Sequence, residues 1–330
     1  MSVLVTGGAG YIGSHMSHEL VELGENVVVM DNLSTGFRWA VPQEAAFEKG
    51  DIGDPKLVSR VIRDYKVRAI VHFAGSIVVP ESVADPLGYY LNNTSKSRTL
   101  IQVAVNAGVR NFIFSSTAAV YGMPQMNPVN ETAPLNPISP YGCSKLMTEW
   151  MLRDASAAHD LRYMAFRYFN VAGADPKGRT GQSTPRATHL IKVACQAALG
   201  QQTHLEVFGT DYSTPDGTCV RDYIHVTDLV RAHVAGLKYL RAGGVSRVLN
   251  CGYGRGFSVL EVIDAVKRAS GVDFMVKAAP RRPGDPAALV ADVNAIRRFL
   301  DWKPEFGDLD TIVDQALRWE RHLERFRKAS

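Results

Sequence analysis

One short stretch restricts this chain more than any other: the run Thr6-Gly7-Gly8-Ala9-Gly10-Tyr11-Ile12-Gly13, directly after the apolar segment Val3–Thr6. It satisfies both GxGxxG and GxxGxxG, and the amphipathic segment Ile12–Leu23 follows it at once. Between a strand and a helix, such glycines let the backbone turn sharply and approach a pyrophosphate. The exposed amides and the positive end of the helix favour that charge. The next apolar run, Val27–Asp31, ends in an acid. A carboxylate there accepts hydrogen bonds from adenosine ribose hydroxyls and repels a 2′-phosphate, so NAD is expected rather than NADP.

The rest of the first half extends the same pattern. Strands are expected at Val3–Thr6, Val27–Asp31, Phe47–Lys49, Ala69–Phe73, Asn111–Ser115 and Tyr163–Arg167. Helices are expected at Ile12–Leu23, Pro55–Asp64, Asn92–Ala107 and Tyr141–Ala158, with Gly24 and Gly108 as stops. Such alternation predicts an α/β fold, a Rossmann-type doubly wound parallel sheet with a smaller, interleaved α/β substrate domain. The segment from Val171 to Pro185 is rich in Gly, Pro, Asp and Thr and reads as loop, followed by a helix at Arg186–Leu199. Asp228–Leu240 and Val248–Cys251 then read as a helix and strand of the main sheet, and Ser258–Ala269 and Leu309–Phe326 as later helices. The expected division is 1–170 plus about 227–253 for a dinucleotide, and 171–226 plus about 254–330 for a substrate.

With 330 residues, 46% apolar and 21% charged, the chain has the composition of an ordinary globular protein. The net charge of +4 suits an anionic small molecule. Lys and Arg are dispersed, so no nucleic-acid partner is expected. Cys143, Cys195, Cys219 and Cys251 lie far apart with no CxxC pair, which argues against a zinc site and fits a reducing compartment. The first strand follows the initial Met without room for a leader, and no apolar run reaches about 18 residues, so a cytoplasmic protein without a membrane partner is expected.

Tyr141 and Lys145, in Tyr141-Gly-Cys-Ser-Lys145, share one face of the expected helix. A phenol titrates near pH ~10, and an ammonium held beside it favours the phenolate, so the pair could form a base that works near neutrality. Ser115-Ser116-Thr117 closes an apolar strand upstream of it. Gly50-Asp51-Ile52 ends another strand, where Asp51 could meet an adenine or cap a turn. His15 and His18 could suggest a metal pair, but no third ligand is in view and a plain helix face is the better reading.

These motifs, with HFAG at His72–Gly75, FIFSST at Phe112–Thr117, RYFN at Arg167–Asn170, VRDYIHV at Val220–Val226 and PRRPGD at Pro280–Asp285, carry a likeness. Together they resemble UDP-glucose 4-epimerases of the extended short-chain dehydrogenase/reductase superfamily, almost from end to end. Ser76–Ser82 (SIVVPES) looks most like the bacterial branch serving exopolysaccharide synthesis. The resemblance implies reversible C4 epimerisation of UDP-glucose and UDP-galactose through a 4-keto sugar, with NADH held in the site between half-reactions. Tyr141 would take the C4 hydroxyl proton, Thr117 would hydrogen-bond the C4 oxygen, and Lys145 would hold the nicotinamide ribose and keep Tyr141 acidic.

By the same likeness the cofactor would lie against Gly7, Gly10, Tyr11, Ile12, Gly13, Asp31, Asn32, Asp51 and Ile52. Phe73, Ala74, Gly75, Asn92, Ser115 and Tyr168 would complete its site. Arg221 and Arg282 would clamp the diphosphate, for which a guanidinium offers a bidentate fork. Phe208 would pack on the uracil, and Asn170, His189, Leu190 and Tyr223 would line the UDP-sugar site. Asp285 would hold the uridine ribose or pair locally with Arg281 or Arg282. Homodimerisation would run through the Asn92–Ala107 and Tyr141–Ala158 helices.

Three positions depart from the pattern. Ile77 stands where many members have a Lys near the cofactor phosphates, and His189 replaces an amide near the nucleotide. Leu289 holds the place where side-chain bulk decides whether N-acetylated sugars fit. Dehydratases of the same fold need an acid and a base just after the Ser/Thr; here Ala118 and Ala119 follow Thr117 and cannot transfer protons. A 4-epimerase of UDP-N-acetylhexosamines, UDP-pentoses or UDP-glucuronate is the runner-up. A noncatalytic NAD-binding protein would have no reason to keep Thr117, Tyr141 and Lys145 together.

Overall fold

The computed structural model describes residues 2–184, 188–282 and 284–329. The first half runs β1 Ser2–Thr6, α1 Tyr11–Glu22, β2 Asn26–Asp31, β3 Ala46–Lys49, α2 Pro55–Asp64 and β4 Val67–His72. Then come α3 Val79–Ala84, α4 Pro86–Tyr89, a π-helical turn Tyr90–Ser95, α5 Lys96–Asn106, β5 Asn111–Ser115, α6 Pro140–Ala158 and β6 Arg162–Tyr168. The second half holds β7 Asn170–Ala172, α7 Leu190–Ala198, β8 Leu205–Phe208, β9 Val220–His225, α8 Val226–Arg241 and β10 Arg247–Cys251. It ends with β11 Gly256–Ser258, α9 Val259–Ser270, β12 Val276–Ala279, β13 Ala288–Leu289, α10 Asn294–Phe299 and α11 Leu309–Ala329.

Seven strands form one sheet in the order β10-β6-β5-β4-β1-β2-β3. All six pairings are parallel. The alternation of side chains along each strand builds both faces. Val3 and Val5 pack with Met16, Leu20 and Leu229 on the α1/α8 side, while Leu4, Val28 and Ile70 pack with Val58, Val61 and Leu100 on the α2/α5 side. Each such buried aliphatic stabilises the fold by roughly 1.5–3 kcal/mol. The doubly wound order reverses between β1 and β4, and in such sheets ligands bind beyond the carboxyl ends of the strands at that point. The Gly-rich turn and Phe73–Gly75 leave the sheet there.

A second, mixed sheet places β9 between antiparallel β11 and parallel β13, with β7 also pairing β9, and β8 and β12 form a separate parallel pair. These short strands exist because tertiary pairing completes them, and the sequence reading gave none of them. Three other expectations change. Val171 and Ala172 are strand, not loop, because they pair with Ile224 and His225. The helix expected from Asn92 is a π-helical turn up to Ser95 and α-helix only from Lys96. The helix expected from Arg186 begins at Leu190, with His189 as its N-cap; Arg186, like Pro185 and Pro283 of the quoted segments, lies outside the described residues.

Candidate active site

The Gly-rich turn is clamped between β2 and the chain leaving β4. Gly7 N–H donates to Met30 O at 2.9 Å and Phe73 N–H to Thr6 O at 2.9 Å. Gly7 has φ +70°, and a Cβ there would lie 2.5 Å from Ala74 N; one on Gly13 would lie 2.1 Å from Gly7 O. Neither position admits a side chain without moving backbone. Gly10 caps α1 and offers no side-chain acceptor to the amides of its first turn, which includes Tyr11, Ile12 and Gly13. Asp31 accepts from Ala9 N at 2.9 Å and Leu33 N at 2.8 Å, tying the turn to the loop that follows β2. Each carboxylate oxygen keeps a further lone pair for a ribose hydroxyl.

Farther along, Asn32 accepts from Ser34 N, and Asp51 accepts from Gly53 N at 2.8 Å while pairing with Lys96 at 2.5 Å. The turn-capping reading of Asp51 is therefore satisfied within the protein. Ile52 turns its side chain into the core beside Val28 and Met30, leaving its backbone to meet a ligand. Ala9, Gly10, Tyr11 and Ser14 line a cleft of about 200 Å3, with Thr35, Phe37 and Ala40 from the β2–β3 loop and Thr180, Gly181 and Ser183 from the segment after β7.

Tyr141 is placed by the start of α6. Ser139 Oγ accepts from Gly142 N at 3.2 Å, and Pro140 occupies the first turn. A Cβ on Gly142 would lie 2.8 Å from Ala119 O, so glycine lets the helix start sit on the turn after Thr117. The Thr117 hydroxyl acts on the Tyr141 phenol, favouring its ionised form, and accepts from Ala119 N at 3.1 Å. Lys145 Nζ donates to Ser115 O at 3.0 Å and lies 5.1 Å from the centre of the Phe114 ring. Ser115 Oγ also shares a 2.5 Å hydrogen bond with Tyr168 OH, so Lys145 and Tyr168 are anchored on one residue.

Tyr141 and Lys145 are only 8% and 4% exposed, and this corrects the expected electrostatics. Burial pushes the Tyr141 phenol above its ordinary range, with Thr117 pulling the other way, and pushes the Lys145 ammonium down to about 8. Helical spacing places the pair on one face but says nothing of the desolvation that each pays. Burial likewise raises the pKa of Tyr168.

Behind the pair lie residues that the sequence reading missed. Asn93, next to the expected Asn92, accepts from Ser76 N at 2.7 Å and donates to Ser76 O at 2.9 Å and Ser144 Oγ at 3.1 Å. It binds the chain after Gly75 to α6, one residue from Lys145. Asn92 itself donates to Ser76 Oγ at 2.9 Å. Glu149 accepts two hydrogen bonds from Arg167, at 3.0 and 2.6 Å, and one from Ser116 Oγ at 2.5 Å. An acid i+4 from Lys145 and an Arg inside an apolar strand were the available signals.

On the other side, Asn170 and Tyr223 are register partners on β7 and β9 and line a cleft of about 420 Å3 with His189 and Leu190. His189 Nδ1 lies 2.7 Å from Gln182 Nε2, and burial lowers its pKa, keeping it neutral. Asp285 pairs with Arg221 at 2.9 Å, not with Arg281 or Arg282 as the local alternative had it. Arg281 is engaged by Asp211, and the Arg282 guanidinium stacks 3.8 Å from the centre of the Phe208 ring. Leu289 pairs with Arg221 in register and packs on the cluster of Ala118, Val120, Tyr121 and Leu146. Ile77 is half exposed. His15 and His18 bond to the carbonyls of Tyr11 and Ala40, and no group of three metal-binding side chains occurs among the described residues.

Comparison with known proteins agrees with this geometry. The family model of the NAD dependent epimerase/dehydratase family matches residues 3–252. A UDP-glucose 4-epimerase of Azospirillum brasilense is 59% identical over 323 residues, covering 98% of this chain and 93% of the relative. The crystal structure of UDP-glucose 4-epimerase from Brucella ovis in complex with NAD superposes with a TM-score of 0.94 at 45% identity, over 96% of this chain and 98% of that one. That of Bifidobacterium longum in complex with NAD+ and UDP gives 0.92 at 38% identity, over 98% of each. With the family match spanning the whole seven-stranded sheet, Thr117, Tyr141 and Lys145, the chain belongs to the NAD dependent epimerase/dehydratase family.

Proposed function

We propose that the chain is an NAD-dependent enzyme that interconverts UDP-glucose and UDP-galactose by inverting C4. The observation that carries this is the buried Tyr141 phenol, with Thr117 favouring its ionised form and a buried lysine one turn away, in a chain whose Gly-rich turn leaves no room for side chains at Gly7 and Gly13. That turn fits a dinucleotide: the uncapped first turn of α1 meets a pyrophosphate and Asp31 a ribose. NAD, when bound, takes a hydride from the sugar and returns it.

The chain's own residues handle the proton. Tyr141 accepts it from the C4 hydroxyl as the C4 oxygen changes bonding, and returns it in the second half. Thr117, which favours the ionised phenol, stabilises the developing phenolate and orients the C4 oxygen. With a pKa near 8, Lys145 stays charged at neutral pH and offsets the negative charge on Tyr141 in a site closed to water. Ala118 and Ala119 offer no acid or base at the two positions after Thr117, which disfavours dehydration.

Residues 1–170 with 227–253 hold the cofactor in this reading, and 171–226 with 254–330 the UDP-sugar. Arg221, already held by Asp285, and Arg282 meet the diphosphate. Leu87, 78% exposed, and Trp150, 45% exposed, lie on or beside the helices assigned to homodimer contact and supply its apolar face. The four free cysteines fit the cytoplasm, and among the described residues no helix is long and apolar enough to cross a membrane. The product enters galactose metabolism or exopolysaccharide synthesis. The test is turnover of UDP-galactose without added metal, followed by a coupled UDP-glucose dehydrogenase. Undiminished turnover by Tyr141→Phe would sink the assignment.

A further inference from the structure

The cleft at the Gly-rich turn has two outer walls: the β2–β3 loop, with Thr35, Phe37 and Ala40, and the segment after β7, with Thr180, Gly181 and Ser183. The loop is pinned at its base, where Phe37 N–H donates to Ala9 O at 2.9 Å and Gly36 lies against Ala9. Its outer part carries Trp39, whose ring lies 5.3 Å from that of Phe37. The opposite wall is backed by Trp319 of α11. That ring lies flat on Gly181, where a Cβ would come within 2.4 Å of Trp319 Cγ, and its Nε1–H donates to Ser183 Oγ at 3.2 Å. Trp319 is buried and also lines the larger cleft beside Asn170, His189 and Tyr223.

The two indoles meet. Trp39 and Trp319 have ring centres 6.0 Å apart at 34°, and Trp39 also reaches Phe326 at 6.4 Å. A tilted pair at that spacing is an attractive geometry. The contact therefore joins the backs of the two walls, and α11, which supplies one ring, lies outside the residues 3–252 that the family model describes. Separating the walls to admit or release a molecule from the cleft breaks this contact.

We infer that Trp39 and Trp319 form a clasp that sets how long the dinucleotide stays bound. They are positioning residues: neither needs to touch the reacting atoms, and both act by holding the cleft walls together. The inference rests on the reading of that cleft as the NAD site. Trp39 is the useful handle because it is 45% exposed and its removal leaves no cavity in the core.

The experiment measures release of bound NADH from the full chain by loss of its fluorescence after a chase with excess NAD, in wild type, Trp39→Ala and Trp39→Phe. Trp39→Ala is expected to release NADH about fivefold faster, the factor that one aromatic contact supports. Trp39→Phe should restore most of the difference, and UDP affinity by calorimetry should not change. Phe326→Ala, on a residue 58% exposed, should give a smaller acceleration. Equal release rates in wild type and Trp39→Ala, or an equal loss of UDP affinity, overturn the clasp. A wild-type chain that binds no NADH overturns instead the reading of the cleft.

Discussion

Replacing Lys145 by Met should make the cofactor-free chain more stable while abolishing turnover. Lys145 is buried, and its pKa falls from 10.5 to about 8 because the ammonium gives up water on folding. That fall corresponds to about 3 kcal/mol of destabilisation by the charged form. Met has a similar length, no charge and good helix propensity. It leaves Ser115 O without its 3.0 Å donor, which costs about 1 kcal/mol, so the net gain is about 2 kcal/mol, or about 3 °C in Tm for a chain of this size. The sign has a pH signature. Below pH 8 both folded and unfolded chains carry the proton and the penalty is complete. Between 8 and 10.5 only the unfolded chain carries it, so wild type recovers at up to about 1.4 kcal/mol per pH unit, and above 10.5 the penalty is gone. Thermal or urea unfolding of both proteins from pH 6 to 11 measures the difference. A variant no more stable than wild type at pH 7, or an advantage that does not shrink between pH 8 and 10.5, refutes the reasoning.

Glu149→Ala leaves the Arg167 guanidinium buried without its carboxylate and should cost about 3–5 kcal/mol, whereas Glu149→Ala with Arg167→Met should recover much of it; denaturant midpoints decide. Gly142→Ala drives a methyl to within 2.8 Å of Ala119 O, displacing Tyr141 from Thr117, so kcat should fall at least tenfold with UDP affinity unchanged by calorimetry. Leu289→Ala should raise the rate on UDP-N-acetylgalactosamine relative to UDP-galactose and Leu289→Tyr should lower it; a ratio that ignores both would remove Leu289 from sugar selection.

What was legible in the sequence follows from how local its cause is. The Gly-rich turn, Asp31 and the stops at Gly24 and Gly108 are set by neighbours in the chain, and Gly24 and Gly108 do take left-handed φ of +76° and +70°. The apolar runs of β1, β2 and β4 carry their own periodicity, so the sheet could be read from them. Asp285 shows the opposite case. Its local alternatives were four and three residues away, at Arg281 and Arg282, yet Arg221 takes it across 64 residues because β13 pairs with β9 and brings the two segments together. The short strands of the second sheet were illegible for the same reason, each being too brief to mark itself without its partner.

The Tyr141 and Lys145 pair combines both cases. Its spacing was local and correct, but its chemistry depends on burial, which the strand end at Ser115–Thr117, Phe114 and Tyr168 impose from elsewhere in the chain. Desolvation raises the phenol and lowers the ammonium, so the protein alone holds the pair against ionisation of the tyrosine. The base is therefore not preset by its lysine. In the proposed reaction, Thr117 and the charge of Lys145 would become effective when the C4 oxygen arrives to share the proton, which would tie the basicity of Tyr141 to a filled site.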